Sequence, residues 1–394
     1  MHHNYVGKLV KINLFDNMHT NMKKNKVFNL IKPSINEIAK YVPGESKISG
    51  AKNVIKLSSN ESPFNIPKKI YKIAGKLIEE SNLYPDGDSS SLKLSISKKF
   101  KINRNQIICG NGSDDILSLI TQTFGREGSE VICSEYGFIY YPIISKIAGA
   151  RVVIAKSKNL SVSCENILKK ISKKTKIIFI ANPNNPTGSI IFRNELKDFL
   201  RRVPKNIIVV IDGAYSEFVT DKSYSDGIDL INNFENIIIT RTFSKIFALA
   251  GLRLGWAYSS KQIIEILEKV RGPFNVNLFA QRVGSLILEE KSFLKKSVAH
   301  NNLWQKKLTK FINSLGLDAK ITYANFVLIK INKKKFNKSV ILKLLLKNKI
   351  LIRDLTSYGL DEFIRVSVGS SKQMNKFLQV LKGIMNNNAV KKNK

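Results

Sequence analysis

The chain has 394 residues, 43% of them hydrophobic, with 65 Lys and Arg against 30 Asp and Glu, a formal net charge of +35. That length predicts two or three domains, and that hydrophobic content excludes a disordered chain. Four histidines, three of them in the first twenty residues, exclude a His-rich metal site and argue against a Ser/His/Asp triad.

Residues 1–29 read as a polar N-terminal extension, with a translation start at Met18 or Met22 as the other reading. They lack the apolar core of a signal peptide. Residues 30–71 carry Pro33, Pro43, Pro63 and Pro67 with little periodicity, and read as an irregular arm that contributes to a small domain. Residues 72–276 form the expected large domain. Within it, short β-branched runs alternate with amphipathic helical stretches: Gln106–Cys109, Glu130–Cys133, Arg151–Ile154, Lys176–Ile180, Asn206–Ile211, Asn236–Thr240 and Leu254–Tyr258. Most runs are continuously apolar, as in strands buried on both faces. Ile116, Leu117, Ile120 and Phe124 share one helix face. The expectation is an α/β fold: a large domain with a mostly parallel seven-stranded sheet flanked by helices. Residues 277–387 mix strands (Asn325–Ile331, Phe363–Val368) with helices (Lys338–Leu346, Lys372–Ile384) and predict a smaller α+β domain. Residues 388–394 read as a polar tail. No apolar run approaches the ~18 residues of a membrane span.

Ligands of an open parallel sheet bind outside the carboxyl ends of its strands. After the first run comes Gly110-Asn111-Gly112-Ser113-Asp114-Asp115, either a nest of backbone N–H groups for an anion or a glycine turn with a polar helix cap. After Lys176–Ile180 comes Asn182-Pro183-Asn184-Asn185-Pro186-Thr187-Gly188, a rigid turn that can aim an Asn into a cleft. Asp212 follows Asn206–Ile211, with Tyr215 three residues on. This Asp is either a helix cap or a carboxylate that needs a cationic partner. After Asn236–Thr240 come Arg241-Thr242-Phe243-Ser244-Lys245 and then Gly251-Leu252-Arg253. Together these ends offer a phosphate nest, an Asn, an Asp with a Tyr, and a Lys with an Arg. That set is what pyridoxal phosphate requires: a lysine for the Schiff base, a carboxylate for the pyridinium nitrogen, and donors for the phosphate. Arg365 alternates with Ile364, Val366 and Val368 in a strand, which points either to a buried anion partner or to a solvated strand edge. Arg353, after Ile350–Ile352, is a similar candidate.

The charge and the cysteines restrict partners. By count only 12 of the 65 basic residues are Arg, the residue that phosphate-reading surfaces favour. The excess Lys therefore reads as solvated surface, and neither a nucleic acid nor a membrane is expected as a partner. Cys109, Cys133 and Cys164 are too far apart for a C-x-x-C pair, and an odd, low count fits a reducing cytoplasm.

These residues match a known family. From about Ile31 to Ile384 the chain resembles the fold type I pyridoxal-phosphate aminotransferases, and within them the histidinol-phosphate aminotransferase family. The matching segments are Tyr41-Val42-Pro43-Gly44-Glu45-Ser46, Leu57–Glu61, Tyr84-Pro85-Asp86-Gly87, Gly110–Asp114, Asn182–Gly188, Thr242–Arg253, Arg271–Asn275 and Tyr358–Gly369. Two departures are Asp212-Gly213-Ala214-Tyr215 for the commoner Asp-Glu-Ala-Tyr, and Asn60-Glu61-Ser62-Pro63 for Asn-Glu-Asn-Pro.

The resemblance implies residue roles. Lys245 carries the cofactor and acts as general base, and Asp212 keeps the ring nitrogen protonated. Asn185 and Tyr215 bond the ring oxygen, while Tyr136 stacks on the ring. Gly112, Ser113, Asp114, Thr242, Ser244 and Arg253 hold the phosphate, with Tyr84 reaching it from the partner subunit of a homodimer. Arg365, Arg353, Tyr41 and Asn60 bind substrate. The implied activity is a cytoplasmic ping-pong transamination. It interconverts L-histidinol phosphate and 2-oxoglutarate with imidazole acetol phosphate and L-glutamate, in histidine biosynthesis. The alternatives are an aromatic (Phe/Tyr) aminotransferase, a decarboxylase using the same cofactor and, from a different class, a basic nucleic-acid-binding protein.

Overall fold

The computed structural model describes residues 30–39, 53–387 and 390. The expected extension, most of the expected tail, and Tyr41 lie outside the described residues.

The strands, in chain order, are β1 (Ile55–Leu57), β2 (Ile107–Gly110), β3 (Glu130–Ser134), β4 (Arg151–Ala155), β5 (Thr175–Ala181), β6 (Ile208–Asp212), β7 (Ile237–Thr242), β8 (Gly255–Ser259), β9 (Asp318–Lys320), β10 (Phe326–Lys330), β11 (Ile350–Asp354) and β12 (Phe363–Ser367). Seven form one sheet in the order β2-β8-β7-β6-β5-β3-β4. All neighbours in it are parallel except the two pairs made by β8, which runs against both β2 and β7. The seven predicted runs coincide with β2 to β8 to within two residues. Ile177, Ile178, Phe179 and Ile180 are each at most 1% exposed, so β5 is covered on both faces. Apolar residues of helix Ser113–Phe124 cover one face of this sheet, where Ile116, Leu117 and Ile120 are buried with Val131, Phe179 and Val210.

The second sheet has the order β1-β11-β12-β10-β9. Helix Ser371–Met385 starts at a capping box in which Ser370 and Gln373 satisfy each other's backbone N–H groups. It packs Phe377 and Leu381 against Val327, Ile329 and Val366 of this sheet. β1 comes from the arm and pairs parallel with β11, Leu57 opposite Ile352. The pairing delivers Ser58, Ser59 and Asn60 into the cleft between the two sheets. Among the described residues, no helix is long and apolar enough to cross a membrane.

Register gathers the strand ends. Ala181 of β5 sits beside Asp212 of β6, and Asp212 beside Thr240 of β7. Thr242 sits beside Gly255 of β8, and Gly255 beside Gly110 of β2. The loops after β2, β5, β6 and β7 therefore open on one edge, the place where such sheets bind ligands.

Candidate active site

A pocket of about 280 Å³ lies at that edge, roofed by the small sheet. At one end, helix Ser113–Phe124 points its first N–H groups toward the pocket, and Ser113 and Asp114 line it beside Thr242, Ser244 and Arg253. Gly112 has φ +95° and backs this end: a Cβ there would sit 2.5 Å from an Arg253 guanidinium nitrogen. Gly255 is equally constrained, because a Cβ on it would sit 2.3 Å from the Ser113 amide nitrogen. Asp115 Oδ2 accepts the Asn111 N–H at 2.8 Å and an Asn275 N–H at 3.2 Å, which shapes the loop before the helix. Arg253 donates to Ser244 Oγ at 3.2 Å, to Asp114 Oδ2 at 3.2 Å and to the Ala250 carbonyl at 3.1 Å. This end concentrates backbone and hydroxyl donors with one guanidinium, a donor set suited to a phosphate.

At the other end Asp212 closes β6 with a buried carboxylate. Its Oδ2 accepts the Tyr141 hydroxyl at 2.7 Å and its Oδ1 the Ala214 N–H at 3.1 Å. Burial pushes Asp212 up to about 6, although the Tyr141 and Ala214 bonds pull it down. A carboxylate held this way fits a protonated ring nitrogen.

Lys245 stands three residues beyond β7, with Nζ 3.2 Å from the Ser59 carbonyl and 5.8 Å from the Tyr215 ring centroid. Burial, and next the Arg365 guanidinium, lower Lys245 to about 8. An amine so adjusted is partly neutral near physiological pH and can act as nucleophile or base.

Tyr215 is oriented by a directional chain. The Asn60 backbone N–H donates to Ser367 Oγ at 2.8 Å, and the Ser367 hydroxyl donates back to Asn60 Oδ1 at 2.8 Å. The Asn60 amide must then turn its NH₂ to the Tyr215 oxygen, at 2.8 Å. That leaves the phenolic O–H free to donate into the pocket. Asn60, expected at the substrate, lines the pocket with both ends of its side chain engaged, the amide nitrogen on Tyr215 and the oxygen on Ser367.

Arg365 is 5% exposed and lies 5.2 Å over the Phe326 ring. It donates to the Ser58 carbonyl at 2.8 Å and to Asn185 Oδ1. Asn185 lines the pocket, on the turn whose Asn182–Pro183 and Asn185–Pro186 bonds are both cis. Arg353 lines the same wall and lies 5.9 Å over the Tyr358 ring.

Two expected residues stand elsewhere. Tyr136 is not on the pocket wall. It packs against Leu328, Leu355 and Leu360, while Phe138, two residues on, lines the pocket. The loop after β3 passes through these residues to begin helix Tyr140–Ile147. Tyr84 is 82% exposed, stacked on Phe274 at 4.6 Å, and does not line the pocket of its own chain. Sequence reasoning missed Phe138, Tyr141, Tyr358, Ser367 and the carbonyls of Ser58 and Ser59. Tyr141 had a usable signal, since the helix that carries it opens after the carboxyl end of a buried strand. A larger groove of about 800 Å³, lined largely by apolar side chains such as Ile139, Ile143 and Leu346, adjoins the site and shares Arg353 with it.

The model of the family described as aminotransferase class I and II matches residues 52–381. The chain is 40% identical over 351 residues to a histidinol-phosphate aminotransferase of Pelagibacter ubique, covering 89% of this chain and 98% of that one. It is 37% identical over 336 residues to histidinol-phosphate aminotransferase 2 of Haemophilus influenzae, covering 85% and 91%. Among solved structures, histidinol-phosphate aminotransferase from Sinorhizobium meliloti in complex with pyridoxal-5'-phosphate superposes with a TM-score of 0.83 at 22% identity, covering 91% of this chain and 98% of that one. The enzyme of the same name from Clostridium acetobutylicum gives 0.77 at 28%, covering 84% and 99%. The first of these two establishes the fold. Taken with the family model and the sequence relatives, it places the chain in the class I and II aminotransferases.

Proposed function

We propose that the chain holds pyridoxal phosphate and interconverts L-histidinol phosphate and 2-oxoglutarate with imidazole acetol phosphate and L-glutamate. The relatives that match nearly end to end carry that activity in their names. The observation that carries the reading is the pocket itself. It sets a lysine of lowered basicity between a donor-rich end and a buried carboxylate, under two arginines.

The donor set fits the cofactor. Ser113, Asp114, Thr242, Ser244 and Arg253 would hold its phosphate, Asp212 its ring nitrogen, Tyr215 and Asn185 its ring oxygen, and Lys245 its carbonyl carbon. Phe138 supplies the aromatic face expected of Tyr136. When bound, the cofactor supplies an electron sink and carries the amino group between two half-reactions. The chain's residues do the rest. Lys245 Nζ, once released, takes the proton from the substrate α-carbon. Arg365 and Arg353 bind the substrate's anionic group, and the guanidinium fork accepts a carboxylate or a phosphate in turn. This shared anion site supports a ping-pong cycle. Tyr84, exposed on its own chain, would complete the phosphate site of a second copy in a cytoplasmic homodimer.

The test compares turnover of L-histidinol phosphate, phenylalanine and tyrosine with 2-oxoglutarate. A kcat/KM highest for L-histidinol phosphate is expected. A preference for either aromatic amino acid overturns the substrate assignment, and no turnover of any overturns the activity.

A further inference from the structure

Helix Tyr140–Ile147, which opens after β3, carries a buried hydroxyl to which the proposed chemistry assigns nothing. Tyr141 is 1% exposed, and its ring lies parallel to that of Phe179 of β5, 4.7 Å away at 6°. Its hydroxyl donates to Asp212 Oδ2 at 2.7 Å, while Ala214 N–H takes Oδ1 at 3.1 Å. Two donors, one on each oxygen, fix the plane of the carboxylate.

We infer that Tyr141 is a positioning residue that orients Asp212 and holds it ionised for the cofactor's ring nitrogen. The inference rests on the transamination reading above. The phenol stays a donor throughout, because burial and then the neighbouring Asp212 push its own ionisation well above its ordinary range. The groups facing Asp212 come from four elements. Tyr141 belongs to helix Tyr140–Ile147, Asp114 to helix Ser113–Phe124, Thr240 to β7, and Tyr215 to the loop after β6. Cys133 of β3 lies beside Tyr141, and Lys245 shares the pocket. After burial itself, the Tyr141 bond acts most on the carboxylate, and it opposes both the burial and the Asp114 charge. Without it, the buried carboxyl keeps its proton to a higher pH and can no longer stabilise a pyridinium.

The experiment titrates pyridoxal phosphate into the cofactor-free full chain, as wild type, Tyr141→Phe, Asp212→Asn and the double variant, from about pH 5 to pH 9. We expect Tyr141→Phe to weaken binding roughly ten- to hundredfold near neutrality, the range for a hydrogen bond to a charged group. The acid-side loss of affinity should move to higher pH by about one unit or more. In the Asp212→Asn background the same substitution should change nothing, because its effect passes through that carboxylate. An unmoved acid edge, or an equal loss in both backgrounds, overturns the inference. Should Tyr141→Phe fail to fold, the double variant decides: folding restored by removing the charge supports the inference, and folding lost in both overturns it. Failure of the transamination reading would show in the wild type, which would then neither bind the cofactor nor turn over substrate.

Discussion

Arg353 of β11 and Arg365 of β12 stand directly opposite each other in an antiparallel register, so both guanidinium groups rise from the same face of the small sheet toward the pocket. Like charges in directly opposed positions destabilise a sheet. Here the pair is tolerated because Arg365 leans on Phe326, the Ser58 carbonyl and Asn185, while Arg353 leans on Tyr358. The arrangement suits a ligand with more than one negative charge.

That relationship sets the first prediction. Arg365→Ala should lower kcat/KM for both L-glutamate and L-histidinol phosphate by tenfold or more, on the order of the 1.5–3 kcal/mol of a charge-assisted bond. Arg365→Lys should recover only part, since a point charge lacks the bidentate fork. Steady-state kinetics on both half-reactions checks this, and a loss confined to one substrate would refute a shared anion site.

Lys245→Ala should abolish the visible absorbance of the lysine-bound cofactor and cut turnover by several orders of magnitude. With wild type, covalent attachment of pyridoxal phosphate should accelerate as pH rises through about 8, where the buried amine loses its proton. A rate still climbing steeply toward pH 10 would place the amine in an ordinary environment.

Asp212 is held at a cost in stability. Its proton affinity in the fold, about 6, lies above the ordinary value of 3.8, so ionisation weakens the cofactor-free protein. The deficit is absent below about pH 4 and complete above about pH 6. Asp212→Asn should therefore raise the melting temperature of the cofactor-free protein at neutral pH, by the equivalent of roughly 2–3 kcal/mol. The gain should vanish in acid. Turnover should fall by orders of magnitude in the same variant, and calorimetry at two pH values with a rate assay separates the two effects.

Gly255→Ala would place a methyl group 2.3 Å from the Ser113 amide nitrogen and 2.5 Å from the Gly112 carbonyl carbon. The loop at the phosphate end must move, so cofactor affinity should drop by about fivefold or more, by analogy with overpacking penalties of about 1–3 kcal/mol. Cofactor retained after gel filtration reports this directly.

Ser367→Ala frees the Asn60 amide to flip, and Tyr215 then loses the contact that directs its proton. A several-fold fall in kcat with little change in KM is expected, with Ser367→Thr close to wild type, consistent with a neutral hydrogen bond of about 1 kcal/mol. A fall in Ser367→Thr as large as in Ser367→Ala would show that packing, not the hydroxyl, matters there.

Much of the architecture could be read along the chain. The β-branched runs from Gln106 to Tyr258 became β2 to β8; in all but the edge strand β4 they are largely buried, and a strand covered on both faces needs apolar residues at nearly every position. Lys245, Asp212 and Asn185 were legible for a related reason: each ends a buried strand or follows one within four residues, where the sheet edge must open, and Arg253 lies on the connection from β7 to β8 at the same edge. β1, β9 and β11 were not recognised as strands. Three residues of β1 carry no usable periodicity, and only its pairing with β11 defines it.

The aromatic residues show where linear reading stops. Tyr136, Phe138, Tyr140 and Tyr141 lie within six positions of one loop and helix start, and composition cannot say which of them faces a cleft. The turn into helix Tyr140–Ile147 sends Tyr136 to a neighbouring apolar cluster, Phe138 to the pocket wall and Tyr141 to Asp212. The sequence by itself determined the chemical inventory and the α/β architecture, because both follow from residue type and local period. Only the tertiary structure decided that Arg353 faces Arg365, that Ser59 reaches Lys245 and that Ser367 orients Asn60 toward Tyr215. Those contacts join segments up to 307 residues apart, and strand register and inter-sheet packing, which no local pattern encodes, bring them together.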